Sequence, residues 1–210
     1  MAWTGPTPPL SNLRGTEQSL LQVITAARRE LWVVSFAAYR VRSICEALVE
    51  AGRRCTVRLV LESEAESDGG LTSGGLDDMP PEVRQHCQLF VWPREKRVTD
   101  ERGRFGLLHA KCEVADSELL FIGSANLTES AFELNMEVGA LIRGREAATV
   151  FQEQLEWLRN GGQLDRAGWP ASSPRGRIAT CAWSLALGRT SDRGRFGDEA
   201  PPASRPTSTA

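Results

Sequence analysis

Two pairs of side chains at i, i+2 spacing, His109/Lys111 and Ser124/Asn126, constrain this chain more than any other feature. They belong to one spaced set, H-x-K-x4-D-x6-G-S-x-N, which also fixes Asp116 and Gly123. Side chains alternate faces along an extended chain, so residues two apart point the same way. The set therefore demands two neighbouring strands, LHAKCEVAD and ELLFIGS, joined by a turn at Asp116-Ser117. Chance is a poor source for it. The chain holds two His, two Lys and four Asn against 23 Arg in 210 residues, and from such frequencies an accidental match has odds of roughly 1 in 10^7.

Around this core the hydrophobic pattern alternates between helix and strand. Thr16–Glu30 places Leu20, Val23, Ile24 and Ala27 on one helical face, with Thr16 as the expected N-cap. Residues 31–36 (LWVVSF) read as a buried strand, 42–53 as a helix with Ile44, Leu48 and Val49 inward, and 56–61 (TVRLVL) as the next strand. Short connections of this kind imply parallel strands covered by helices. Residues 62–81 carry six carboxylates and four glycines and predict a mobile acidic loop, with a short helix after Pro80. A strand over 88–92, a basic-leaning loop and the paired strands of the set follow, then a short helix over 127–134 and the strand MEVGALI. The last helix, 146–158, groups Val150, Phe151, Leu155 and Leu158 before Gly161-Gly162 stops it.

The fold class expected is α/β: a mixed, largely parallel sheet flanked by helices on both faces. It occupies 16–170, after a Pro-rich lead-in over 1–15 and before a Ser/Pro/Arg/Gly-rich tail over 171–210 read as mostly disordered. The spaced set has no second copy in the chain.

Composition excludes several classes. No apolar run reaches the 18 or more residues of a membrane span, and the first residues lack a basic, then apolar, export signal, so the expected compartment is the cytoplasm. Five scattered cysteines without a C-x-x-C pair argue against a zinc ribbon or redox dithiol and read as buried or idle thiols, with Cys112 in the core. Net charge is −2, with +3 in the tail from Ala171 and −5 before it, so an anionic substrate must be held by a local basic site.

The set supplies what phosphodiester hydrolysis requires. His109 can attack phosphorus through an imidazole nitrogen and form a covalent phosphoramidate. Lys111, on the same face, would offset charge on the phosphate oxygens, and Ser124 and Asn126 would donate hydrogen bonds to them. Gly123 leaves room for close backbone approach. Asp116, at a turn, braces the turn or the site. No metal and no cofactor is implied, because the carboxylates are not clustered and Lys111 would oppose a cation.

These residues resemble the HKD motif of the phospholipase D superfamily. LWVVSFAAYRV, VRLVLES, QLFVWPREKR and SANLTESAFELNMEVGALIRG further resemble the phospholipase-D-like proteins of DISARM bacterial anti-phage systems over about residues 15–165. The resemblance implies that Glu137 is the carboxylate beside His109, accepting from its second ring N–H and fixing its tautomer. It also implies that two motif copies meet across one phosphate. With one copy per chain, the expectation is an isologous homodimer with two His109 residues on one substrate, or else a partner carrying its own motif. His86, without such neighbours, reads as a surface residue.

Arg94, Lys96, Arg97, Arg102 and Arg104 before the motif, with Arg40, are candidate backbone-binding residues, and Trp92 and Phe105 could stack on bases. The expected activity is a sequence-nonspecific, metal-independent nuclease acting on DNA or RNA in phage defence, alongside other defence proteins. Two alternatives stay open: a phospholipid hydrolase or transferase, and an accessory subunit that binds nucleic acid or a defence complex without turnover.

Overall fold

The computed structural model describes residues 1–9, 11–38, 41–63, 65–67 and 75–167. The tail, Arg40 and much of the acidic segment lie outside these residues. In chain order the elements are β1 (Ala2–Thr4), β2 (Arg14–Gly15), α1 (Thr16–Ala26), β3 (Glu30–Ser35), α2 (Arg42–Arg54), β4 (Thr56–Leu61), α3 (Pro81–His86), β5 (Gln88–Val91), β6 (Cys112–Ala115), β7 (Leu119–Gly123), α4 (Glu129–Glu133), β8 (Glu137–Arg143), α5 (Arg145–Asn160) and β9 (Asp165–Arg166). The strands form one sheet in the order β2-β1-β8-β7-β6-β3-β4-β5-β9.

The sheet is mixed and flanked by helices, as expected. Its parallel part is β3–β4–β5, with α2 and α3 in the crossovers, plus the short β1–β2 pair. The remaining pairings are antiparallel, so the sheet is less parallel than the sequence pattern implies. A parallel link needs a dozen residues or more, and only residues 116–118 separate β6 from β7. The expected lead-in is also part of the sheet: β1 pairs with β8 and buries Ala2. Three residues are too few to show a strand period.

Alternation along the central strands builds two cores. Leu31, Val33, Leu59, Ala115 and Phe121 pack with Leu20, Ile24 and Leu48 of α1 and α2. Trp32, Val34, Val60, Val114 and Leu120 pack on the other face with Ala148 and Leu155 of α5. Val150, expected on that face, is exposed, because it lies about 100° around the helix from Phe151. Thr16 is the first residue of α1 rather than its cap; Gly15 holds the cap position and the buried Thr16 hydroxyl has no partner.

The β6–β7 turn explains Asp116. Asp116 and Ser117 both have φ of 55°, which gives a two-residue hairpin closed by the Glu118 N–H donating to the Ala115 carbonyl at 2.9 Å. The Asp116 carboxylate accepts from the N–H groups of Arg28 (2.7 Å), Arg29 (2.8 Å) and Glu30 (2.9 Å), pinning the turn to the start of β3. Burial works to raise this carboxyl, and the three N–H groups with the Arg29 guanidinium overcome it and hold it below its ordinary value. The stabilisation is therefore present at neutral pH and lost as pH falls through the lowered value. Asp116→Ala, which strands three donors, is expected to cost about 2–3 kcal/mol in urea unfolding at pH 7, with a smaller loss at acid pH.

Candidate active site

In the order β8-β7-β6-β3, antiparallel pairing brings the start of β8, the end of β7, the approach to β6 and the end of β3 to one edge of the sheet. That edge carries Glu137, Ser124, Asn126, His109 and Lys111. Asp116 sits at the opposite end of β6, seven residues from His109 and about 20 Å away along an extended chain. Its role is to brace the turn. It is not beside His109.

His109 and Lys111 lie just before β6, in a segment whose pairing continues through the Gly123 N–H donating to the Lys111 carbonyl at 3.1 Å. The two side chains are treated differently. The His109 residue is exposed, whereas Lys111 is buried and its ammonium donates to the His109 carbonyl at 2.8 Å. Phe36, directly after β3, sits against both, 5.7 Å from the His109 ring and 5.8 Å from the Lys111 Nζ. Sequence reasoning missed it; an aromatic directly after a strand was the available signal.

Glu137 opens β8. Its carboxylate accepts from the Ser124 hydroxyl and, at 3.1 Å, from the Asn135 amide. The expected acceptance from the His109 ring is not among its hydrogen bonds. Ser124 is itself held by the Val138 N–H at 3.1 Å, and the Asn126 side-chain oxygen Oδ1 accepts from the Ala37 N–H at 3.4 Å. A side chain at Gly123 would come within 2.9 Å of the Phe121 ring and 3.1 Å of the Val138 carbonyl, so sheet packing already requires glycine there.

Burial lowers the Lys111 ammonium below its ordinary 10.5, and the Glu137 carboxylate opposes that shift. Glu137→Gln removes the opposition, so Lys111 should lose its proton at a still lower pH. An NMR titration of Lys111, one of only two lysines, reads this directly. Glu113, two residues beyond Lys111, is a buried carboxyl whose Oε2 has no partner; burial holds it well above the ordinary range.

The basic loop differs from expectation. Arg97 is buried against Glu62 and cannot reach a substrate. Lys96 pairs with Asp165 and Arg104 with Asp100. The Arg94 guanidinium stacks 4.1 Å over Phe105, and Arg97 lies 5.2 Å over Trp92, so both aromatic rings already carry an arginine. Arg102 is exposed. Arg94, Arg102, Lys96 and Arg104 remain candidate surface cations.

Residues 20–159 match the family described as cardiolipin synthase, PLD-like domain. This chain belongs to the PLD-like family. Curated relatives of the PLD-like chain include a cardiolipin synthase of Geobacillus kaustophilus, 28% identical over 78% of this chain and 30% of that protein. Another, from Geobacillus thermodenitrificans, is 28% identical over 71% of this chain and 28% of that protein. The chain thus spans less than a third of their length.

Solved structures share the PLD-like fold. Nuc from Salmonella typhimurium, a phospholipase D family member, superposes with a TM-score of 0.53 at 19% identity, over 72% of this chain and 90% of that one. NucT from Helicobacter pylori gives 0.50 at 20%, over 73% and 90%. The phosphatidylserine synthase of Haemophilus influenzae gives 0.50 at 15%, over 72% and 36%. The PLD-like family and its phosphodiester chemistry agree with the expectation from the HKD set.

Proposed function

We propose that this PLD-like chain is a metal-independent phosphodiesterase that cleaves nucleic acid in phage defence, with two copies completing one site. The observation that carries this is the convergence of His109, Lys111, Ser124, Asn126 and Glu137 on one sheet edge. An imidazole nitrogen of His109 attacks phosphorus; an N–P bond forms and the P–O bond to the leaving oxygen breaks. His109 of the second copy, on the far side of the phosphate, gives that oxygen its proton. It then takes a proton from water, whose oxygen attacks phosphorus and breaks the N–P bond. Lys111, supported by Glu137, offsets the charge on the non-bridging oxygens, with the Asn126 amide as a hydrogen-bond donor and the Ser124 hydroxyl as a second once substrate takes it from Glu137.

Exposed apolar side chains support the second copy. Ile122 and Val138 are diagonal neighbours on β7 and β8 beside the site, Met136 precedes them, and all three are exposed. Covering such a patch with a second copy would take this apolar surface out of water at the same end of the sheet as the site. The nucleic-acid substrate is supported by exposed cations before the motif and by the likeness in fold to Nuc and NucT. The defence setting is supported by the flanking words that resemble DISARM proteins.

A second reading, a phospholipid hydrolase or transferase, is favoured by the relatives named cardiolipin synthase and phosphatidylserine synthase. Among the described residues no helix is long and apolar enough to cross a membrane. Labelled single- and double-stranded DNA, RNA and phospholipid vesicles, each incubated with the protein in EDTA, separate the readings. Nucleic-acid cleavage supports the first and phospholipid turnover alone supports the second. Binding without turnover would leave an accessory subunit.

A further inference from the structure

The connection from β5 to β6, residues 92–111, must deliver the nucleophile to the site, yet it contains no helix beyond the 3-10 turn Arg94–Lys96. Something other than secondary structure must hold its last residues in place. The candidate lies directly beneath it. Arg97 and Glu62 form an ion pair in which both side chains are fully buried.

The Arg97 guanidinium is the hub. Its Nη1 donates to Glu62 Oε2 (3.0 Å), the Glu66 carbonyl (3.0 Å) and the Gly106 carbonyl (3.1 Å). Its Nη2 donates to Glu62 Oε1 at 2.7 Å, and its Nε to the Trp92 carbonyl at 2.9 Å. Glu62, the first residue after β4, accepts in addition from the N–H of Leu108 (3.2 Å) and of Ser63 (3.2 Å). One pair therefore fastens the exit of β4, the exit of β5 and the two residues Gly106 and Leu108 that lead into His109.

We propose that the buried Glu62–Arg97 pair is the positioning device for His109, fixing the backbone that carries the nucleophile rather than touching substrate. The chemistry suits the task. Four donors converge on the Glu62 carboxylate, and only a group with two acceptor oxygens satisfies them all. The planar Arg97 fork meets that carboxylate with two nitrogens, which sets direction as well as distance. Taking two charges fully out of water is costly, so a buried pair of this kind is not in itself a source of net stability. A requirement for geometry accounts for keeping them, because a misplacement of about 1 Å at a nucleophile can lower turnover about a hundredfold.

The inference rests on His109 being the nucleophile, and its test is built to separate the two. Glu62→Gln is nearly isosteric but turns an amide toward donors. Glu62→Leu/Arg97→Met fills the site without charge and keeps the test alive if the single variant does not fold. Each is compared with wild type by thermal midpoint, by kcat and KM on a phosphodiester, and by the ring signals of 15N-histidine-labelled protein. The chain has only two histidines, so His86 serves as an internal control. In folded variants the His109 signal should shift or broaden while His86 does not, and kcat should fall about 10–100-fold with KM changed less than about threefold. A folded double variant with an unaltered His109 signal, or a kcat that recovers along with the thermal midpoint, overturns the proposal. If wild type turns over no phosphodiester, the functional reading fails, and the histidine signals alone still decide this one.

Discussion

Replacing His109 with alanine is expected to lower phosphodiester turnover by about 10^4-fold or more. The imidazole is the group that accepts phosphorus, and no other side chain at the sheet edge can take its place: Ser124 is occupied by Glu137 and Val138, and Lys111 is buried and donates to the His109 carbonyl. Residual rate would come from charge stabilisation by Lys111 and from binding. His109 is an exposed residue, so the same substitution should leave stability within about 0.5 kcal/mol of wild type. His86→Ala is the matched control. Its ring bonds the Glu82 carbonyl, at 2.8 Å, at the end of α3. A His109→Ala protein that turns over at more than about a tenth of the wild-type rate would remove the nucleophile from the account.

The largest stability effect should come from breaking the buried ion pair. Arg97→Ala leaves the Glu62 carboxylate buried without its charge partner and strips donors from the carbonyls of Trp92, Glu66 and Gly106. Removing one member of such a pair costs about 3–5 kcal/mol, whereas replacing both by apolar side chains of similar volume is far milder. Against a typical total of about 5–15 kcal/mol, that is a large fraction. Urea unfolding of Arg97→Ala, Glu62→Leu/Arg97→Met and wild type should therefore rank the single variant lowest and the double variant well above it. Equal losses in the two would mean that the charges do not matter to each other.

What could be read from the sequence follows from which features are local. Residues 56–61 gave a strand that β4 matches end to end, and the Asp116-Ser117 turn stands where the pattern put it, because period and turn chemistry act over a few residues. The gathering of His109, Lys111, Ser124 and Asn126 was legible because i, i+2 spacing on adjacent strands leaves few other arrangements. Arg97 was not legible. Its partner lies 35 residues earlier, in an acidic run with no period, and a charged residue in a basic loop reads as solvated until tertiary contacts bury it. Glu137 stands at the same end of the sheet as His109, but its partners are Ser124 and Asn135 rather than the imidazole, a choice that depends on how β8 meets β7. Val150 was lost to a simpler cause, one residue of helical phase.

The covalent step can be trapped directly. Wild-type and His109→Ala protein, each in EDTA, are mixed with a phosphodiester labelled at phosphorus, quenched in alkali within the first turnover, digested and mapped by mass spectrometry. An acid-labile adduct on the His109 imidazole in wild type, absent from the variant, is the expected result. Steady turnover with no adduct, or an adduct on another residue, would contradict a phosphohistidine route.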